Sequence, residues 1–254
     1  MYKEVEPWYE ITDMLHSKMN FICEMSRNDH GFLCSLIRET NPKKIVEIGV
    51  AEGGTTAVVE MCLQSLSDEK REFYSVDLNA NFYHDSSKET GYEYWNIKNK
   101  INLNNNIEHT FMFGQCIAGQ IEKIGNGIDM VIIDTTHRLP GEILDFLCVI
   151  PFMNEGGIVV LHDVNFNYNK SFSSDPFMVL ISDVRISTKM IMACASGEKY
   201  INSNNRSLSN IGAIKISDET RKNVEELFML LTATWDYQLD NTMIVQYMNI
   251  YEVL

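Results

Sequence analysis

Two stretches of this chain end apolar runs in groups that can do acid–base chemistry. Asp134 and His137 follow the run from Ile128 to Ile133, and His162-Asp163 follow Gly157-Ile158-Val159-Val160-Leu161. Charged groups at the ends of buried strands are costly to desolvate unless they bind something. A carboxylate pair with a histidine can hold a divalent cation or supply a general base. Two roles stay open. In one, Asp134 and Asp163 ligate Mg²⁺ or a similar hard cation that holds substrate hydroxyls, and His137 takes the proton from the attacking oxygen. In the other there is no metal, and His137 or His162 is a base oriented by a carboxylate.

A second constellation lies upstream, in Val46-Glu47-Ile48-Gly49-Val50-Ala51-Glu52-Gly53-Gly54-Thr55-Thr56. Its glycines allow a sharp turn and close approach of a ligand to the main chain. The spacing G-x-x-x-G-G is neither the G-x-G-x-x-G of dinucleotide proteins nor a P-loop. Asp77 ends the next apolar run, roughly 20 to 30 residues on, where a carboxylate can accept hydrogen bonds from ribose hydroxyls. Turn and acid together point to a nucleoside-bearing ligand that needs no pyrophosphate.

The elements that must position these groups alternate. Strands are expected at Lys44–Gly49, Phe73–Asp77, Ile107–Phe113, Ile128–Asp134 and Gly157–Asp163, with helices at Thr55–Leu66, before Leu103, at Ile117–Ile124 and at Glu142–Phe152. Such alternation implies βαβ units and a parallel sheet covered on both faces, with ligands beyond the carboxyl ends of the strands. Residues 8–40 suggest two or three helices broken near Asn28 to Gly31. Beyond Asp163 the spacing predicts a helix over Pro176–Met192, a strand over Ile211–Ile216 and a helix over Asp218–Leu231 capped by Ser217 or Asp218. The fold class is α/β, Rossmann-like and doubly wound, with a mainly parallel seven-stranded sheet and N-terminal helices. One domain spans 1–254, divided into a helical segment (1–42), a cofactor-binding core (43–163) and a substrate-side completion (164–254).

VEIGVAEGGTT, FYSVDL, IDMVIIDTTH and GGIVVLHDV, in this order, resemble the class I S-adenosylmethionine-dependent methyltransferases. The subgroup most similar is the small bacterial sugar and natural-product O-methyltransferases (methyltransferase family 24-like), some of them metal-dependent. The resemblance implies that Glu47, Gly49 and Gly53 floor the methionine part of the cofactor, that Asp77 holds the ribose, and that Leu78 and Gln115 meet the adenine. It adds Glu52, Thr55 and Asp134 to the cofactor-binding set, with His137 and Asp134 catalytic and Asp134 and Asp163 as ligands of a metal such as Mg²⁺. The metal-dependent relatives carry a further acid where this chain has Thr135-Thr136 or His162. The implied reaction moves the sulfonium methyl to a hydroxyl of a small polar acceptor, a sugar or sugar-derived group in surface-polysaccharide or natural-product biosynthesis. Two rivals share the scaffold: a metal-dependent hydroxylase-like enzyme and a non-catalytic nucleoside-binding module.

Composition bounds the partners. The 254 residues hold 21 Lys+Arg against 35 Asp+Glu, a net charge of −14, which argues against a nucleic-acid binder because that affinity comes from clustered basic residues. No apolar run approaches the ~20 residues of a membrane span, and the start Met1-Tyr2-Lys3-Glu4-Val5-Glu6-Pro7 has no signal-peptide pattern. Six singly spaced cysteines read as reduced thiols, so a cytoplasmic protein is expected. His16, His30 and His109 have no partner pattern and read as structural. Asn165, Asn167, Tyr168 and Lys170 read as loop. The aromatic residues from Tyr83 to Trp95 read as packing or as cover for the site. The face of Val224, Leu227, Leu230 and Leu231 packs on the sheet or forms a homodimer contact.

Overall fold

The computed structural model describes residues 2–18, 21, 23–101, 106–165, 187–205 and 209–251. Its strands are β1 (Tyr2–Val5), β2 (Lys44–Ile48), β3 (Arg71–Asp77), β4 (Ile107–Phe113), β5 (Ile128–Ile133), β6 (Met153–His162), β7 (Glu198–Asn202) and β8 (Ile211–Lys215). Its helices are α1 (Glu10–Lys18), α2 (Arg27–Thr40), α3 (Gly54–Leu66), α4 (Tyr92–Lys98), α5 (Ile121–Ile124), α6 (Gly141–Val149), α7 (Ser187–Cys194), α8 (Asp218–Lys222), α9 (Val224–Phe228) and α10 (Asn241–Tyr251).

The strands form one sheet in the order β1-β7-β8-β6-β5-β2-β3-β4. β2 to β6 pair in parallel, while β8 runs antiparallel to both β6 and β7. The chain steps outward from β2 through β3 to β4, then returns to place β5 on the other side of β2 and β6 beyond it. The order reverses between β2 and β5, and such a reversal opens a crevice at the carboxyl ends of the two strands. The glycine turn leaves β2 and Asp134 leaves β5 at that edge.

The apolar strands are buried on both faces, as parallel sheets require. Val46, Ile48, Val131, Ile133, Val159 and Leu161 point to a core completed by α6 and α10. Ile45, Met130, Ile132, Ile158 and Val160 point to the opposite core, with α1, α2 and α3. Alternate residues of one strand thus anchor two layers of helices to one sheet.

Several elements differ from expectation. The sheet has eight strands, not seven, because Tyr2–Val5 pairs in parallel with β7 inside a segment expected to be helical. Four residues with charged Lys3 and Glu4 carry too little alternation to announce an edge strand. The N-terminal helices do not break at Asn28 to Gly31, which lie within α2. The Ser26 hydroxyl accepts from the Asp29 N–H, and this cap starts α2 at Arg27. Ile117–Ile124 divides into a 3₁₀ turn and α5. Ser217 caps α8 as foreseen, through a reciprocal capping box with Thr220, but the helix is interrupted at Asn223. β7 and α10 were not anticipated. Of the expected helix over Pro176–Met192 only the part from Ser187 is described; Asn167, Tyr168 and Lys170 lie outside the described residues. Leu227 is buried, and Val224, Leu230 and Leu231 pack against the core beside α6. No helix among the described residues is long and apolar enough to cross a membrane.

Candidate active site

The glycine turn is shaped by the protein's own backbone. Gly49 has φ +91°, and a Cβ there would lie 1.8 Å from the Asp134 carbonyl oxygen. The Gly49 N–H donates to Val76 O at 2.9 Å, and the Asp134 N–H donates to Ile48 O at 2.9 Å. Gly53 has φ +89°, and its Cβ would meet Gly91 Cα at 2.8 Å. Both positions therefore exclude a side chain for two reasons at once, dihedral and contact.

Asp77 belongs to the same turn. Its Oδ2 accepts from the N–H groups of Val50 (2.8 Å) and Ala51 (3.2 Å), and its Oδ1 accepts from the Asn79 N–H at 2.8 Å. The carboxylate is preset at the crevice edge by three amides, with exposed Leu78 beside it. Glu47 lies underneath, 1% exposed. Its Oε2 accepts from Thr56 and Ser75 hydroxyls, both at 2.8 Å, while Oε1 has no partner. Burial pushes this carboxyl up to about 8. Glu52 is also buried; its Oε1 accepts from the Glu24 N–H at 2.9 Å, and burial pushes it up to about 7. Thr55 Oγ1 meets His30 Nε2 at 3.1 Å and Cys23 Sγ at 3.4 Å. Gln115 is exposed beyond β4, and its Oε1 accepts from Gln120 Nε2 at 2.5 Å. Glu47, Gly49, Gly53, Asp77, Leu78 and Asp134 are brought to one edge, whereas Glu52 and Thr55 face the N-terminal segment.

Across the β2–β5 boundary the chemistry changes to side-chain charge. His162 Nδ1 lies 3.2 Å from Asp134 Oδ1 and 3.7 Å from Asp163 Oδ1, and its Nε2 lies 3.6 Å from Asp29 Oδ2. His137 Nε2 lies 3.1 Å from Asp163 Oδ2, and its Nδ1 lies 3.6 Å from Glu142 Oε1. Imidazoles and carboxylates alternate from Asp29 through His162, the Asp134/Asp163 pair and His137 to Glu142. Burial opposes a charge on His162, but Asp134 and Asp163 outweigh it and hold the imidazole well above its ordinary value. Burial likewise opposes the Asp134 carboxylate, yet the neighbouring imidazoles, His162 first, keep it below the usual range. His30, completely buried beside this row, is pushed down to about 3 by desolvation and then by His162, and is neutral.

Two of these residues sit in the left-handed region, His137 at φ +59° and Asp163 at φ +57°. Non-glycine residues adopt that region sparingly, and such positions concentrate at functional sites. Two contacts hold them: the His137 N–H donates to Glu142 Oε1, and Asn210 Nδ2 donates to Asp163 Oδ1. Donor atoms of Asp134, His162 and Asp163 all lie within 4.8 Å of one another. Two carboxylates and an imidazole can coordinate a divalent ion, and protonated His162 can balance the same two carboxylates. Beside the two carboxylates expected from the sequence, His162 offers a third candidate donor atom.

Residues 46–164 match a family model described as a methyltransferase domain. The fold is similar to that of the SAH-bound Podospora anserina methyltransferase PaMTH1, at 11% identity, covering 82% of this chain and 87% of that one with a TM-score of 0.55. It is also similar to the O-methyltransferase TomG from Streptomyces achromogenes, involved in tomaymycin synthesis and solved in complex with SAM, at 13% identity, 82% and 87% coverage and a TM-score of 0.51. No curated protein matches the chain significantly.

Four residues of the site were not anticipated from the sequence. Asp29 and His30 arrive from α2, Glu142 from the first turn of α6, and Asn210 from the residue before β8. Glu142 had a signal, an acid five residues after His137 at a helix start, where the helix dipole favours it. The others had none, because the charged groups they meet, His162 for Asp29 and His30 and Asp163 for Asn210, lie 47 or more residues away in the chain.

Proposed function

We propose that the chain is a cytoplasmic S-adenosylmethionine-dependent O-methyltransferase acting on a hydroxyl of a small polar acceptor, a sugar or sugar-derived group. One observation carries the reading: the Gly49 turn and the Asp134–Asp163–His137 row share one crevice edge, with the Gly49 backbone packed on Asp134. Similarity to folds solved with SAM and SAH supports the cofactor. The sugar class rests on the sequence resemblance to sugar and natural-product O-methyltransferases. The chain works as one domain of residues 1–254, with 43–163 holding the cofactor and the flanks completing the sheet and the acceptor side; a homodimer is part of the proposal.

The turn shaped by Gly49 and Gly53 floors the methionine part, Asp77 accepts from the ribose, and Leu78 covers one face of the adenine, with Gln115 at its edge. Placing donor and acceptor together supplies several kcal/mol of barrier lowering. A hydroxyl inserted between His137 Nε2 and Asp163 gives its proton to the imidazole as its oxygen attacks the methyl carbon. The carbon–sulfur bond breaks, the thioether leaves neutral, and Asp163 stabilises the imidazolium. A divalent ion such as Mg²⁺, held by Asp134, Asp163 and His162, would polarise that hydroxyl as a Lewis acid.

Calorimetry with S-adenosylmethionine and S-adenosylhomocysteine tests the cofactor; absence of binding to the purified protein defeats the proposal. A panel of nucleotide sugars and glycosides tests the acceptor, and turnover confined to non-sugar hydroxyls would remove the sugar class alone.

A further inference from the structure

A buried chain of polar groups runs away from the crevice beneath the glycine turn. Ser75 Oγ lies 2.8 Å from Glu47 Oε2 and 2.9 Å from His109 Nε2. His109 Nδ1 lies 2.7 Å from Glu60 Oε2, which also accepts from Tyr94 OH at 2.6 Å. Lys98 Nζ donates to Tyr94 OH at 2.8 Å and lies 3.9 Å from Glu60. Glu47, Ser75 and Glu60 are at most 2% exposed. The His109 ring is held between Phe73 and Phe111, with centroids 4.2 and 4.1 Å away. No step of the methyl transfer uses His109, Glu60, Tyr94 or Ser75.

Ser75 has one hydroxyl proton for two neighbours. When it donates to Glu47, His109 must donate through Nε2; when it donates to His109 Nε2, Glu47 must carry a proton. The two arrangements differ by one proton, moved between Glu47 and His109 through a single hydroxyl. Burial raises Glu47 to about 8 and lowers His109, against the pull of Glu60. With the crevice empty, the proton therefore rests on Glu47, and His109 is neutral, donating through Nδ1 to Glu60. The other charges facing Glu47 are Asp134 and Asp77, both negative, which favour the same arrangement.

We propose that Glu47, Ser75 and His109 form a proton relay by which the floor of the cofactor site matches its charge to the ligand. With a cationic sulfonium bound, the Glu47 O–H bond breaks, its proton goes to Ser75 Oγ, and the Ser75 proton goes to His109 Nε2. Glu47 is then a carboxylate under the cation, and the imidazolium is paired with Glu60. When the neutral thioether product remains, the proton returns. The relay rests on the S-adenosylmethionine reading above. It favours the donor over the product, so Glu47→Gln should reduce the ratio of donor to product affinity about tenfold, the effect of one pKa unit of coupling.

Histidine ¹⁵N NMR of the whole protein tests this with either ligand bound and no acceptor present. The His109 signal is identified by its loss in His109→Gln. The expected result is an imidazolium, protonated on both nitrogens, with S-adenosylmethionine, and a neutral ring with S-adenosylhomocysteine. Glu47→Gln, which retains His109, should leave the ring neutral in both complexes. The same His109 state in both wild-type complexes, or a difference that persists in Glu47→Gln, overturns the relay while leaving the cofactor reading intact. Failure of both ligands to bind overturns both.

Discussion

The two halves of the crevice stand on different physics. On the β2–β3 side the shape comes from backbone: Gly49 against the Asp134 carbonyl, Gly53 against Gly91, and Asp77 tied by three amides. Its buried acid, Glu47, meets neutral hydroxyls through one oxygen only and favours the protonated form. On the β5–β6 side the shape comes from ionisable side chains, with the imidazoles of His162 and His137 set between the carboxyl groups of Asp29, Asp134, Asp163 and Glu142. A backbone-built wall suits the parts of a cofactor that stay the same through the reaction. A wall of paired charges can shift protons and suits the place where bonds change.

The sharpest way to break this division is Gly49→Ala. A methyl group 1.8 Å from the Asp134 carbonyl must force β2 and β5 apart at their ends. The expected outcome is about 4 kcal/mol of destabilisation or more, with loss of ligand binding, seen in denaturant unfolding. Near wild-type stability would show that the turn is softer than its contacts imply. On the charged side, His137→Ala should lower kcat about 10²- to 10⁴-fold while leaving cofactor affinity within a few-fold. Kinetics set beside calorimetry separates the two quantities, and unchanged turnover removes His137 from the role of base.

Asp77→Asn keeps the volume but loses the charge that three amides and a ribose would share. Cofactor affinity is expected to drop about tenfold, at roughly 1.4 kcal/mol per decade, with kcat at saturation little changed. A fall in kcat alone would move Asp77 out of the cofactor half. The last prediction concerns pH. The Glu47 carboxyl rises from its ordinary 4.5 to about 8 on folding, so its protonated form stabilises the fold fully below about 4.5. That contribution is lost as pH rises through about 8. Thermal melts between those values should show wild type losing Tm relative to Glu47→Gln. Parallel curves would mean that Glu47 titrates normally in the folded protein.

Much of the frame was legible in the chain. The strands leading to Gly49, Asp77, Asp134 and Asp163 follow from apolar runs that end in glycine or acid, since a buried parallel strand must be apolar and its end is the first place where polarity is tolerated. The edge strand Tyr2–Val5, β7 and α10 were not legible, because short or half-exposed elements take their shape from the neighbours they pair with. In the site, Asp134, His137 and Asp163 could be nominated from their positions after strands. Glu142 left a local signal five residues after His137, whereas Asp29, His30 and Asn210 could not be paired with them.

The sequence by itself determined the doubly wound α/β order, the glycine turn with its acid, and the residues that could do chemistry, because hydrophobic periodicity and turn residues act locally. The tertiary structure alone decided who partners whom: the sheet order that puts β2 beside β5, and the α2 helix that brings Asp29 to His162. It also set the buried chain from Glu47 to Glu60. Those outcomes depend on burial and distance between segments far apart in the chain, and pKa follows surroundings, not residue type.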